Sequence, residues 1–281
     1  MRSFHLPTIL PSAVALLVLG SMLQPAPVLA ASEPIVAAVV PNYPPLEFKD
    51  PATGQLTGFD IELGEALATR AGTKIRWQET SFDQMMSALA TGRVTIIISG
   101  MSDSPERRDS VRFIDYLKTG PQFYALKERV AALPDMAALC GKRVGASRRT
   151  TFPAEISQWS DANCIKRGKP SIVVMGTDGS ADARMQLRQG RVDAAVQGAE
   201  TLGYLMSQEP NAYGTIGKVF GSQYQGIAID RRNEATLRQI GDAMSALIAE
   251  GTYAKIAAKW RLGEFAVQEL LIDGAAKAPS R

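Results

Sequence analysis

Short apolar runs rich in β-branched residues recur along the chain, and between them apolar residues return at every third or fourth position. Ile35–Val40, Ile75–Glu79 and Val94–Ile98 read as strands. Phe59, Leu63, Ala66, Leu67 and Ala71 have helical spacing and stop at Gly72; Met85, Met86 and Leu89 mark a second helix over Phe82–Thr91, closed by Gly92. Strand, helix, strand, helix, strand with short connections predicts βαβ units on a parallel sheet. Val94–Ile98 is continuously apolar, as a strand covered on both faces should be. A second unit follows: strands over Lys142–Ala146, Ile172–Met175 and Val192–Val196, a helix from Thr151 towards Trp159, and another over Ala181–Gln189 closed by Gly190. Phe113–Tyr124 reads as irregular, with Tyr116, Phe123 and Tyr124 as core or inter-domain contacts. Leu237, Ile240, Met244, Leu247 and Ile248 share one face of a long helix ended by Gly251. Thr252 caps the next helix, through Trp260, and the tail beyond Ile272 is small, polar and expected to fray.

An internal echo links the two units. Leu89-Ala90-Thr91-Gly92-Arg93-Val94 matches Leu187-Arg188-Gln189-Gly190-Arg191-Val192, and both continue as an apolar strand. The same register sets Gly100 opposite Gly198, so two similar lobes would face each other with equivalent strand ends. In open α/β sheets ligands sit beyond the carboxyl ends of the strands. There Gly100 lets a ligand approach the backbone, Ser102 offers a hydroxyl, and Arg107 offers a planar fork suited to a carboxylate. Ser104 and Pro105 suit the cap and first position of a helix. A solvated loop with a surface arginine is the alternative for this stretch. Pro41, Pro44 and Pro45 stiffen a loop that presents Tyr43, either as a pocket wall or packed on its own prolines.

The first 30 residues change the compartment. Arg2, the apolar Ala13–Leu19 and the small-residue site Val28-Leu29-Ala30 read as a cleavable secretory signal peptide. An uncleaved anchor fits less well, because no apolar run reaches the ~20 residues of a span. No cysteine adjoins the cleavage site for lipidation. Of the 281 residues about 250 remain, enough for one large domain or two ordinary ones. Removing the leader takes Arg2 and no acid, so 30 basic face 28 acidic side chains, a net charge of +2. That balance argues against a nucleic-acid partner. The single His lies in the leader, no metal-ligand spacing or phosphate loop occurs, and neither a metal nor another cofactor is expected. Cys140 and Cys164 are the only cysteines; in an exported protein they form one disulfide, contributing on the order of 3 kcal/mol, or are two separate buried thiols.

Taken together, certain phrases resemble the family 3 periplasmic solute-binding proteins, the amino-acid-binding components of ABC importers. They are Tyr43-Pro44-Pro45 with Glu47-Phe48, Gly58-Phe59-Asp60-Ile61, and Ser99-Gly100-Met101-Ser102 with Pro105-Glu106-Arg107. Leu139-Cys140-Gly141-Lys142-Arg143-Val144-Gly145, Gly190-Arg191-Val192-Asp193-Ala194 and Gly251-Thr252-Tyr253-Ala254-Lys255 follow in order. Each is weak alone; their order and spacing over nearly the whole mature chain are specific. The resemblance implies an α/β fold of two lobes, each a mostly parallel sheet flanked by helices, joined by two hinge strands and closing on a small ligand. Lobe 1 would comprise residues 34–122 and 226–273, and lobe 2 residues 125–222, with Phe123–Leu126 and Gln223–Gly226 as the crossing strands. It implies that Tyr43 and Phe82 sandwich the ligand's side chain, that Gly100 and Ser102 bond its carboxylate, and that Arg107 pairs with it. Thr151 would add a hydroxyl at a helix N-terminus. A Cys140–Cys164 disulfide also resembles part of the family. The implied protein is a periplasmic monomer that captures an amino-acid-like or other small carboxylate ligand, hands it to an inner-membrane ABC permease, and is not an enzyme.

Two departures bear on the ligand. Gly198 stands where the family usually has an Asp that holds the α-ammonium. A buried ammonium without a counter-ion costs several kcal/mol. Either the ligand lacks a free α-amine, or Glu200, Asp178 or Asp182 supplies the charge. Arg149, beside Arg148, replaces the family's usual Gly and favours a second anionic group, unless both arginines point into water. These departures predict a preference for carboxylates, dicarboxylates or N-substituted amino acids. Two other readings remain. A cyclohexadienyl-dehydratase-like enzyme would use Glu200 as general acid, and a sensor module would deliver its ligand to a kinase or chemoreceptor.

Overall fold

Ile96 and Ile97 are both buried, yet they belong to different apolar clusters on opposite faces of one sheet. The same division separates Ala37 from Ala38 and Ile227 from Ala228. Two-sided burial explains the unbroken apolar runs in the sequence. The computed structural model describes residues 33–276, together with Met1 and Ser3; the predicted leader and the end of the tail lie outside the described residues.

The first lobe is built on a seven-stranded sheet. Its order is Ala275–Ala276, Ala266–Ile272, Val111–Thr119, Gln223–Asp230, Ile96–Ile97, Ile35–Val39 and Ile75–Glu79. Ile35–Val39 runs parallel to both its neighbours, whereas Gln223–Asp230 is antiparallel to Ile96–Ile97 and Val111–Thr119. The second lobe carries a five-stranded sheet in the order Val173–Thr177, Arg143–Ser147, Ala194–Gly198, Pro121–Leu126 and Tyr213–Ile216, the first three parallel and the others antiparallel. A small three-stranded sheet, Asn42–Tyr43, Glu47–Lys49 and Leu56–Thr57, leads into the helix Phe59–Arg70. The fold is the two-lobed α/β architecture expected, but the sheets are mixed rather than mostly parallel. Four of the six pairings in the first and two of the four in the second are antiparallel, because the crossing strands and the last strands run against their neighbours. The echo is structural as well: the helices Phe82–Ala90 and Ser180–Arg188 are both followed by a left-handed glycine, Gly92 (φ 72°) and Gly190 (φ 68°), before the buried Val94 and Val192.

Phe113–Tyr124 is not irregular. It forms two long strands, Val111–Thr119 and Pro121–Leu126, that carry the chain from one sheet into the other through Gly120. Polar Asp115, Thr119 and Gln122 interrupt the apolar pattern there, and buried Asp115 is reconciled with the core by accepting from the Gly274 amide. The crossing therefore falls at Gly120 rather than at Phe123–Leu126, whose residues pair with Ala194–Gly198 and Tyr213–Ile216 inside the second sheet. The return crossing runs through 217–222, just before Gln223 pairs with Thr119. At Gly120 a Cβ would stand 2.9 Å from the Gly221 carbonyl oxygen and 2.8 Å from Val219, so the two crossing segments are packed backbone to backbone. Ala266–Ile272, unread in the sequence, is a strand, and Asp273 just beyond it is held by the Arg112 guanidinium and the Phe113 amide rather than fraying.

Cys140 and Cys164 form a disulfide with Cα atoms 5.6 Å apart. It ties the turn Met136–Leu139 to the end of the helix Phe152–Asn163, within the apolar core of the second lobe. Among the described residues no helix is long and apolar enough to cross a membrane.

Candidate functional site

The carboxyl ends of both parallel strand sets open on one cavity of about 290 Å³. From the first lobe come Val40, Asn42, Tyr43, Glu47, Ser81 to Asp83, Ser99, Gly100, Ser102 and Gln225. From the second come Ser147 to Thr150, Phe152, Thr177 to Ser180, Val196 and Gln197. Ser81-Phe82 and Gly179-Ser180 are related by the internal echo and face the cavity from opposite lobes. The repeat could have identified the latter pair from sequence.

The expected site residues divide into two groups. Tyr43, Phe82, Gly100, Ser102 and Arg149 line the cavity; Arg107, Thr151, Gly198 and Glu200 do not. Gly100 has φ 55° and donates its N–H to Asp60 Oδ2 (2.9 Å), with the Tyr116 hydroxyl oxygen 3.1 Å away, so that amide is turned from the cavity. Arg107 lies outside the lining. Its Nη1 donates to the Ser102 carbonyl (2.7 Å), its Nη2 to the Arg149 carbonyl of the other lobe (3.1 Å), and its guanidinium carbon lies 5.7 Å from the Phe82 ring centroid. Those bonds use two of five N–H groups. Thr151 spends its hydroxyl on Gln223 Oε1 (3.0 Å), and Thr150 takes the lining position beside it. Neither cleft arginine is unpaired: Arg148 Nη1 is 2.7 Å from Asp178, and Arg149 Nε is 3.6 Å from Asp83 across the lobes. Asp182 accepts from the Asp178 amide and from Gln186, so its Oδ2 is engaged within its own lobe.

Gly198 has ordinary extended dihedrals (φ −62°, ψ 136°), yet a Cβ there would collide with both oxygens of the Glu200 carboxylate. Glu200 thus occupies the space of the side chain that Gly198 lacks. It is 3% exposed and accepts from Thr119 Oγ1, Gln225 Nε2 (2.8 Å) and the Tyr43 hydroxyl (3.3 Å). The Tyr43 oxygen in turn accepts from the Gly198 amide (3.2 Å), which links the two lobes behind the cavity. Burial pushes the Glu200 carboxyl above its usual range, and its three donors pull it back.

Glu47, in the cavity lining, and Asp60, outside it, are two buried acids that sequence reasoning did not single out. Glu47 Oε1 accepts from Ser99 (2.7 Å) and Asp60 Oδ2 from Tyr116 (3.0 Å) and Gly100. Glu47 Oε2 and Asp60 Oδ1 are buried without a hydrogen-bond partner. Burial raises both carboxyls, Glu47 well above its usual range with Asp60 adding to it, and Asp60 to about 7. A carboxyl whose pKa is raised by folding keeps its proton while the unfolded chain loses it, so stability falls as pH rises from the unfolded carboxylate range to about 7 and beyond. Replacing one of the two carboxyls should flatten this fall. Between pH 5 and 8 the melting temperature of wild type should drop by several degrees more than that of Glu47→Gln; equal slopes would count against a raised Glu47 carboxyl.

Comparison with known proteins gives the family. The family model described as bacterial extracellular solute-binding proteins, family 3, matches residues 35–264. The L-arginine-binding protein of Pseudomonas aeruginosa is 30% identical, over 83% of this chain and 90% of that protein. The L-cystine-binding protein TcyJ of Escherichia coli is 26% identical, over 78% and 79%. Among solved structures, an ancestral arginine-binding protein bound to arginine superposes with a TM-score of 0.72 at 29% identity, covering 80% of this chain and 97% of that one. An ancestral amino acid-binding protein, a precursor of cyclohexadienyl dehydratase, gives 0.69 at 27% identity, covering 80% and 94%.

Proposed function

Because the chain belongs to the bacterial extracellular solute-binding proteins, family 3, we propose that its two lobes close on a free α-amino acid and present it to an ABC importer from the outer side of the membrane. The observation that carries this reading is the single cavity at the facing strand ends, lined from both lobes and of a size for one small molecule. The lobes run from 34 to Gly120 with 223–273, and from Pro121 to 222, hinged at the two closely packed crossings.

Tyr43 and Phe82 flank the ligand's side chain. Ser102 takes its carboxylate, with the Arg107 guanidinium just outside the lining as counter-charge behind it, and Arg148 and Arg149, each with its acid, set the polarity of the far end. Relatives named for arginine, cystine and histidine bound the ligand class. Binding without chemistry is favoured over a dehydratase because Glu200 does not line the cavity and both its oxygens are engaged by donors. Delivery to a permease is favoured over a sensor by relatives such as the ABC transporter arginine-binding protein 1 of Escherichia coli.

Titration calorimetry with L-arginine, L-histidine, L-cystine, L-glutamine and L-glutamate should find at least one ligand with a Kd of about 1 μM or tighter. Absence of binding across that panel overturns the reading. So does the appearance of aromatic product absorbance on incubation of prephenate or arogenate with the protein.

A further inference from the structure

The helix Ala199–Gln208 is rooted in the second lobe and reaches into the first. Leu202 and Leu205 bury in an apolar cluster of the second lobe with Tyr124, Leu187 and Tyr213. Glu200 and Tyr204, one turn apart, are committed elsewhere. Every side chain that donates to the buried Glu200 carboxylate belongs to the first lobe: Tyr43 (3.3 Å), Gln225 (2.8 Å) and Thr119. The Tyr204 ring lies 5.8 Å from that of Phe48, also of the first lobe, centroid to centroid. Phe48 meets Trp260 of its own lobe at 6.0 Å, the rings nearly perpendicular, so its position is fixed from behind. Burial raises the Tyr204 phenol, and Asp50, just past Phe48, adds to the shift.

The surface that receives the helix does not travel with it. Tyr43 and Phe48 sit on the paired strands Asn42–Tyr43 and Glu47–Lys49, and the turn between them is bound into the first lobe. Leu46 is wholly buried, its carbonyl accepts from the Asp60 amide (2.8 Å), and the Pro45 carbonyl accepts from the Phe59 amide (2.9 Å). The contacts at 200 and 204 therefore join two bodies that are each held internally. Glu200, Tyr204 and Phe48 all lie outside the cavity lining. They favour the arrangement in which the cavity has both its walls. A rotation that parts the lobes there strips a buried carboxylate of its donors and breaks a ring contact.

On the proposal that the lobes close on a ligand, we infer that Glu200 and Tyr204 are positioning residues that clasp the first lobe and set how much of the ligand's binding energy goes into closure. Such a clasp raises the fraction of molecules competent to bind, and so scales the apparent affinity for every ligand by one factor. Gly198 makes room for it, because a side chain there would collide with the Glu200 carboxylate.

Two measurements test the clasp on Tyr204→Ala, Phe48→Ala, their double variant and Glu200→Ala. In calorimetry with the panel amino acids that bind wild type, and with the des-amino analogue of each, Tyr204→Ala should weaken all of them by one common factor of about three to ten. Glu200→Ala should weaken them by more than about tenfold, again uniformly. The double variant should lose about as much as either single one, since both remove the same contact. Tyr204→Phe keeps the ring and should stay within about twofold of wild type. In small-angle X-ray scattering without ligand, Tyr204→Ala and Glu200→Ala should have a larger radius of gyration than wild type. At saturating ligand all three should agree. A radius unchanged in both variants overturns the inference. So do losses that differ between an amino acid and its des-amino analogue, which would place these side chains on the ligand instead of between the lobes. A panel that fails to bind wild type overturns the proposed function, and the scattering comparison still decides the clasp.

Discussion

Gly198→Asp will cost this protein most of its ligand affinity, although aspartate is the residue that the family usually carries there. The backbone is no obstacle, since φ −62° suits any residue. The obstacle is that the space is filled. A Cβ at 198 meets the Glu200 carboxylate, the end of a flexible side chain that could swing aside were it not held by Thr119, Gln225 and Tyr43. Displacing it breaks the contact between lobes that runs through the Tyr43 hydroxyl and releases the Gln225 amide, and it sets two carboxylates against each other in a buried space. An affinity loss of about a hundredfold or more is expected for the amino acid that binds wild type, with a lower melting temperature. Gly198→Asp/Glu200→Ala should behave differently. With the displaced carboxylate gone, the new one enters the vacated space, and affinity should return to within about tenfold of wild type. Calorimetry on the two variants decides the matter: a single variant that binds like wild type would show that Glu200 is not held in place.

The sequence carried the lobes more clearly than their junction. The echo between Leu89–Val94 and Leu187–Val192 was enough to set the two cavity walls opposite each other, because a helix closed by glycine and followed by an apolar strand has one dominant reading. The crossing strands were hidden, because Asp115, Thr119 and Gln122 are polar residues satisfied only by distant partners such as the Gly274 amide. At the site, residue type for Tyr43 and Ser102 and the family resemblance for Phe82 and Arg149 pointed to residues that line the cavity, but not to which atoms are free. Gly100's amide is consumed by Asp60, and Thr151's hydroxyl by Gln223, 72 positions away. Gln197 and Gln225 gave no signal. The sequence reading named Glu200 as one way to replace the missing charge; that its carboxylate fills the side-chain space at 198 needed coordinates.

Arg107→Ala should weaken amino-acid binding by about 2–5 kcal/mol, or roughly thirtyfold to several thousandfold. Three interactions go with the guanidinium: the bond to the Ser102 carbonyl, the bond across the lobes to the Arg149 carbonyl, and the contact with the Phe82 face. Any of them could account for part of the loss, so the size of the effect does not by itself assign the arginine to the ligand's carboxylate. Comparing L-arginine with L-argininamide does. A guanidinium that anchors the carboxylate makes wild type reject the amide strongly, and Arg107→Ala then weakens the acid far more than the amide, erasing most of the preference. A guanidinium that only clasps the lobes together weakens both ligands equally and leaves their ratio unchanged. Arg107→Lys sharpens the comparison, since it keeps the positive charge but cannot span two carbonyls and a carboxylate with one planar fork. It should retain part of the acid preference and lose the clasp. A loss below tenfold in Arg107→Ala would remove the residue from the binding site, and with it the carboxylate anchor on which the amino-acid reading of this cavity leans.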